Sequence, residues 1–426
     1  MSFYICTNCN FGSASLLGKC PDCGQFGTLK KADDDVETPR NKEEVKKLKL
    51  TSLSEVKTVK KARRKTGIFE FDRVLGGGII PGEVILLTGE PGIGKSTLLL
   101  QALKSIKVIY VSGEESAEQV RDRGERLGVD LKHFYFSDDL QVEGIIKGVE
   151  EEKDKIDLLV IDSIQTIYSK EVQGTSGSVS QLRECTSKLV TFAKRTKVPI
   201  IIIGHVTKEG EIAGPKTLEH LVDCVLLFEG EKVSHHRVLR AQKNRFGSTD
   251  EIGIFEMSEQ GLAEVTNPLA FLDDTDAQEG KSIVGVSEGK RPLFFEIQTL
   301  AVPTMLAMPR RVVKGVDYNK VQLLLAVARK YLGLKLDTFD VYVNVVGGID
   351  IKSTAADLGI IASLVSSISG KPLPAKTVYI GEVGLLGEIR GVFFQDRVIE
   401  EAKRMKFTNT VSSKVIKNIK DLKRLT

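Results

Sequence analysis

The sequence predicts an α/β protein with a mainly parallel sheet, flanked by a small cysteine module and a second α/β domain. Three observations carry this. Short β-branched apolar runs recur between residues 66 and 262: VILLT (84–88), VIYVS (108–112), LLVID (158–162), PIIIIG (199–204) and CVLLFE (224–229). Helical patterns lie between several of them, and continuous apolar strands parted by helices mean a sheet covered on both faces. Four of the six cysteines fall in the first 23 residues. Beyond residue 280 a new series begins, with strand runs SIVGV, PLFFEIQTLAV, VYVNVVGG and VYIGEV and helical runs at 319–332, 355–367 and 396–405.

The length bounds the rest. At roughly 100–200 residues per domain, 426 residues give two or three domains. Hydrophobic residues make up 41% and charged residues 28%, which is enough to bury a core. No apolar run approaches the ~20 residues of a membrane span. The opening MSFYICTNCN has neither a basic n-region nor an apolar h-region, so a cytoplasmic protein is expected. No short-period repeat is present.

Residues 1–29 are expected to form a zinc-binding module. Cys6-x-x-Cys9 and Cys20-x-x-Cys23 are two tight turns, each presenting two thiolates, and together they suit tetrahedral Zn²⁺. Disulfides do not persist in a reducing compartment. Cys185 and Cys224 stand alone in apolar surroundings and read as buried thiols.

Residues 30–65 read as a basic linker, with 13 Lys/Arg against 7 Asp/Glu. Such a segment can screen a nucleic-acid backbone or simply remain solvated.

Residues 66–266 hold the main chemistry. GEPGIGKST (89–97) fits the phosphate-binding pattern G-x-x-x-x-G-K-[ST] between an apolar strand and an apolar helix. Gly89, Glu90, Pro91, Gly92, Ile93 and Gly94 supply the loop whose N–H groups can surround phosphate oxygens of ATP. Lys95 reaches the β- and γ-phosphates, Ser96 can bind Mg²⁺, and Thr97 completes the motif. Asp162 ends a strand about 65 residues on, where it can organise Mg²⁺ through water. Glu114 and Glu115 end another strand, and one of them, Glu114 first, can polarise the attacking water. The alternative for these acids is a helix first turn. His205, at the end of PIIIIGH, reads as a γ-phosphate sensor or as a satisfied core histidine. The polar loops 169–180 and 206–217 leave the same sheet edge.

KNRFG (243–247) follows an alternating strand that begins at His236. Alternation predicts Lys243 and Arg245 on one face, Phe246 towards the core and Gly247 at the turn.

Taken in order, the four cysteines, TGIFEFDRVLGGGIIPGE (66–83), the P-loop, Asp162 and KNRFG resemble the bacterial RadA (Sms) family of recombination and repair ATPases over essentially the whole chain. The resemblance implies a RecA-type core and a DNA-dependent ATPase motor. Its expected role is branch migration on single-stranded DNA and branched recombination intermediates. It implies a hexameric ring and a RecA-type recombinase as partner. Lys243 is then the first candidate for a contact to a neighbour's nucleotide, with Arg245 beside it or on DNA. A solvated hairpin tip is the bland alternative. Lys170 and Lys208 are the DNA candidates in the two loops, with Lys243 and Arg245 as further DNA candidates. Residues 267–426 resemble the proteolytic domain of Lon. Ala355 in STAADLGIIASLV (353–365) stands where the nucleophilic Ser is expected, and Asp396 stands near the Lys position, so proteolysis is not expected. The basic stretch PRRVVKGVDYNK (309–320) is a DNA surface or a solvated loop. Two other functions stay open on sequence: an ATP-dependent Lon-like protease, and an ATP-switched DNA-binding scaffold without motor activity.

Overall fold

Strand parity sorts the main core. In the apolar run at 84–89, Ile85 and Leu87 pack on one face of the sheet, while Val84 and Leu86 pack on the other. Side chains alternate along a strand, so a run apolar at every position must be covered on both sides. The computed structural model describes residues 4–8, 11–31, 63–205, 217–230, 235–272 and 276–424. Cys9, Lys208 and most of the linker and of loop 206–217 lie outside them.

Residues 1–60 and 61–426 are two separate units. In the first, β1 (Tyr4–Cys6) lies between β2 (Gly12–Ser13) and β3 (Leu29–Lys31), antiparallel to both. Its small core is Cys6, Cys20 and Leu29.

The second unit contains a nine-stranded sheet. Its strands are β4 (Val84–Gly89), β5 (Val108–Ser112), β6 (Phe134–Ser137), β7 (Leu158–Asp162), β8 (Ile200–His205), β9 (Cys224–Glu229), β10 (His236–Asn244), β11 (Ile252–Ser258) and β12 (Gly261–Glu264). Their order is β12-β11-β10-β9-β4-β8-β7-β5-β6. The six strands from β9 to β6 run parallel, and β10 to β12 extend the sheet antiparallel from β9. Helices α1 (Phe69–Val74), α2 (Lys95–Ala102) and α3 (Ala117–Arg126) pack with one face, and α4 (Val142–Glu152) and α5 (Val179–Thr196) with the other. The crossover order places β4, β5, β7 and β8 with their C-terminal ends on one edge, where ligands of such sheets bind.

A six-stranded sheet follows: β13 (Lys281–Glu288), β14 (Arg291–Pro303), β15 (Arg311–Lys314), β16 (Phe339–Val345), β17 (Thr377–Ile380) and, after the short hairpin β18 (Glu382–Val383) and β19 (Ile389–Arg390), β20 (Asn409–Ser412). The order is β15-β16-β14-β13-β17-β20. Helices Tyr318–Leu332 and Asp357–Ser369 cover one face, and Gln395–Arg404 covers the other.

The two sheets share packing. Val238, Ile252, Ile254 and Val265 of the first sheet and the segment just after it belong to the same apolar cluster as Phe271, Val284 and Phe295. Arg291 of β14 is paired at 2.7 Å with Glu70 of α1, and both are buried. Glu70 also accepts from Arg73 and from the Ile254 N–H, so the buried charge is hydrogen-bonded as well as paired.

Candidate active site

The loop after β4 has the backbone that phosphate binding requires. Gly92 and Gly94 have φ of 77° and 110°, values that favour glycine. At Gly89 a Cβ would lie 2.4 Å from the Phe228 carbonyl, so only glycine fits there. Gly94 hands the chain into α2, whose first residue is Lys95. The buried ammonium donates to the carbonyls of Gly89 and Glu90, each at 2.9 Å. Burial lowers its pKa to about 8, opposed by Asp162 and Glu114. Glu90, Pro91, Gly92 and Ile93 form the turn, with Ile93 buried. Arg237 of β10 donates to the Ile93 carbonyl at 3.4 Å from behind. Ser96 and Thr97 follow on the first turn of α2, half-buried.

The register of the central strands assembles the acids. Ser112 pairs with Asp162 across β5 and β7, and Gly89 pairs with His205 across β4 and β8. Asp162, 3% exposed, accepts from Ser96 Oγ at 2.8 Å. Burial raises its carboxyl pKa, while hydrogen bonds from Tyr110 and Ser96 pull it back. A hydroxyl and a carboxylate in contact are hard oxygen donors of the kind Mg²⁺ takes. The residues present therefore fit that ion.

The two adjacent glutamates part ways. Glu114 accepts from Ser163 Oγ, and His205 Nε2 lies 3.0 and 3.2 Å from its two oxygens. A carboxylate only accepts, so Nε2 carries the proton. This bond is the main cause of a lowered Glu114 pKa. Glu115 turns to an ion pair with Arg123 of α3. Both N–H groups of the pair donate to Ser112 Oγ, and Ser116 then opens α3 with a capping box to Gln119. Glu114, Asp162 and His205 have oxygen or nitrogen atoms all within 4.8 Å of one another. Glu115 is outside that group.

Lys170 is exposed in the loop after β7. That loop is folded around Gln181, whose side chain bonds the N–H and C=O of Ser169 and the carbonyl of Val172. Among the described residues this polar loop is held in place by a buried amide.

KNRFG departs from the alternation expected of it. β10 has an irregularity between Ala241 and Lys243 and ends at Asn244. Lys243 Nζ donates to the carbonyls of Glu219 and Val222 at 2.7 and 2.8 Å. Arg245 pairs with Asp223 at 3.3 Å. Phe246 does not enter the core: it is 37% exposed, with the Lys194 ammonium 5.6 Å from its ring centroid. The reason is local. Asn244 Oδ1 accepts from the Phe246 N–H at 2.9 Å, folding the chain into a turn before a second alternation is reached. Asn244 also donates to the Val74 carbonyl, and Gly247 lies against Gly76. Arg63 closes this arrangement by donating to the carbonyls of Leu75 and Phe246.

In the N-terminal unit Cys6 Sγ and Cys23 Sγ are 3.7 Å apart, and the Cys20 sulfur lies within 4.8 Å of both. Sulfurs held about 2.3 Å from a tetrahedral Zn²⁺ stand roughly 3.75 Å apart. The three described thiols therefore fit that ion; Cys9 lies outside the described residues.

In the C-terminal unit Ala355 is buried beside Ser353, whose Oγ accepts from the Ala355 N–H at 3.3 Å. Asp396 is exposed and paired with Lys414. The charged centre of this region is another pair, Lys320 and Asp357 at 2.8 Å, on the wall of a cavity of about 380 Å³.

Sequence reasoning missed Tyr110, Ser163, Arg63 and Arg237. Each acts through strand register or a long-range contact, and none belongs to a spaced motif.

Comparison with known proteins agrees with these features. Residues 64–158 match the family model described as ATPase: KaiC, and residues 4–31 match that of the rubredoxin metal binding domain. The DNA repair protein RadA of Bacillus subtilis (strain 168) is 43% identical over 422 residues, spanning 96% of this chain and 92% of the relative. That of Streptococcus pyogenes serotype M1 is 44% identical over 419 residues, with the same shares. The solved structure of the RadB recombinase is 26% identical and covers 47% of this chain and 98% of its own, with a TM-score of 0.39. The P-loop core, the thiol cluster and an identity of this extent along nearly all of both chains together establish that the chain belongs to the RadA family of DNA repair proteins.

Proposed function

We propose that this protein is a DNA-dependent ATPase that works as a motor in recombination and repair. Its substrates are single-stranded DNA and branched intermediates, its action is branch migration, and a RecA-type recombinase is its partner. The working form is a ring of six copies in which each nucleotide is completed by the neighbouring subunit.

The observation that carries this reading is the position of KNRFG. Lys243 bonds carbonyls of residues 219 and 222, which precede β9. It thus sits at the edge where the parallel strands begin, whereas the P-loop lies where they end. Two cations fixed at that edge do not serve their own chain's phosphates. They suit a neighbour's, where a cation stabilises charge on the transferring phosphoryl group.

Within one subunit the geometry supports the following roles. The loop N–H groups and Lys95 hold the phosphates, and Ser96 and Asp162 would hold Mg²⁺. The ion, when bound, offsets charge on the β- and γ-phosphate oxygens. Glu114 orients and polarises water. His205 bonds Glu114 and begins the loop 206–217, so a γ-phosphate that draws on this histidine is felt along that loop. Lys170 and Lys208 are the proposed DNA contacts; for Arg245 a DNA contact is the alternative to the neighbour's phosphates. The division into a module at 1–29, a linker at 30–65, an ATPase domain at 66–266 and a Lon-like domain at 267–426 belongs to the same reading. The last domain is non-proteolytic, because Ala355 offers no nucleophile and Ser353 spends its oxygen on capping.

Mixed assemblies test the proposal. Lys95→Ala and Lys243→Ala should each abolish DNA-stimulated turnover and strand displacement. Co-assembled, they should recover part of both, since some interfaces then pair an intact P-loop with an intact Lys243. No recovery, or sedimentation as a monomer with and without nucleotide, would sink the shared site.

A further inference from the structure

Tyr110 sits in the middle of β5, 1% exposed, in an otherwise apolar core. Parity puts its side chain on the same face as Ser112, two residues on. Tyr110 pairs in register with Val160, and Ser112 with Asp162. A phenol is long enough to cover that one register step, and its hydroxyl donates to Asp162 Oδ2. Ser96 Oγ donates to the same oxygen from α2 at 2.8 Å. One carboxylate oxygen therefore carries two donors, one from the phosphate-binding helix and one from the sheet.

The two donors differ in freedom. Ser96 stands on the first turn of α2, half-buried, beside the site where phosphates and an ion bind. Tyr110 is buried in the apolar cluster that covers this face of the sheet, on a strand paired on both sides. Only the tyrosine can hold the carboxylate in one orientation irrespective of what Ser96 binds. For packing alone a Phe would serve, and burying a phenol OH is tolerated only where it finds an acceptor.

We infer that Tyr110 is a positioning residue for the divalent-cation site: it pins Asp162 Oδ2 so that the other oxygen faces the cation or its water. The inference rests on the nucleotide site proposed above. Hydrogen-bonding partners of ligating carboxylates typically govern metal affinity by about 10–100-fold.

The experiment uses the full-length protein with ADP and Mn²⁺ as probe, reading bound Mn²⁺ by electron paramagnetic resonance. Tyr110→Phe keeps the ring and removes only the hydroxyl. Mn²⁺ affinity of the protein–ADP complex should fall about 10–100-fold. ADP affinity in excess chelator and the thermal midpoint should stay at the wild-type values. In an Asp162→Asn background Tyr110→Phe should cause no further loss of Mn²⁺, because the tyrosine acts through that carboxylate. Unchanged Mn²⁺ affinity in the single variant overturns the inference. So does an equal fall in metal-free ADP binding, which marks a packing defect, or a full additional loss in the double variant. Failure of the wild-type complex to bind Mn²⁺ at all defeats the nucleotide-site reading itself, and is told apart by that control.

Discussion

Glu114 and His205 meet across the sheet, with Oε1 of one 3.0 Å from Nε2 of the other, while the adjacent Glu115 is paired with Arg123. The two adjacent glutamates, of which the sequence ranks Glu114 first, thus have different partners. Glu114→Gln should lower kcat by about 10²–10⁴-fold, the range for a lost general base. Glu115→Gln should lose far less, and mainly through a loosened α3. Steady-state ATPase rates together with nucleotide affinity check both. Equal losses from the two variants would contradict the assignment.

Lys95 gives a proton signature. Burial sets its pKa to about 8 in the nucleotide-free protein, whereas an ammonium against phosphate oxygens stays charged. Above about pH 8 the free side chain is mostly neutral, so ATP binding there should take up protons, approaching one per site. Well below that pH it is already charged, and uptake should vanish. Calorimetry in buffers of different ionisation enthalpy measures the uptake, and Lys95→Met should remove it.

Arg63 ties the KNRFG turn to the glycine loop through the carbonyls of Leu75 and Phe246. Arg63→Ala should leave unstimulated ATPase near wild type and reduce the DNA-stimulated part towards that of Lys243→Ala. Arg63→Lys should rescue only partly, because a single ammonium does not reproduce a planar fork that spans several carbonyls. ATPase rates with and without single-stranded DNA decide the point.

Glu83 is fully buried beside Asp223, and burial raises its pKa from 4.5 to about 7. Between those values the folded state holds a proton that the unfolded chain has released. Stability therefore falls as pH rises through that window and stays lower above it. Glu83→Gln should raise stability above pH 7 by on the order of 3 kcal/mol, with the gain fading towards pH 4.5. Denaturant unfolding across that range measures it. A gain independent of pH would point to packing instead.

Much of this protein is legible in its sequence because the informative features are local. The P-loop residues Gly89 to Thr97 read as one site because a continuous stretch of backbone forms it. Asp162 and Glu114 read as site residues because an acid after an apolar strand lands at a sheet edge. The thiol module reads from its spacing. KNRFG shows the limit. Its cations were legible, yet simple alternation misplaced Phe246, because the Asn244 side chain bends the chain first. The antiparallel extension through β11 and β12 was not foreseen, since nothing local in GIFEMS and GLAE marks them as continuing that sheet.

The sequence by itself determined the α/β class, the phosphate loop, the zinc-type thiols and the kinship, all properties carried by contiguous residues or fixed spacings. Tertiary structure alone decided which of two neighbouring glutamates faces His205. It also decided that Tyr110 reaches Asp162 and that Arg63 holds a turn 183 residues away. These depend on register and on packing between distant segments, set by the whole fold at once and written in no single stretch of the chain.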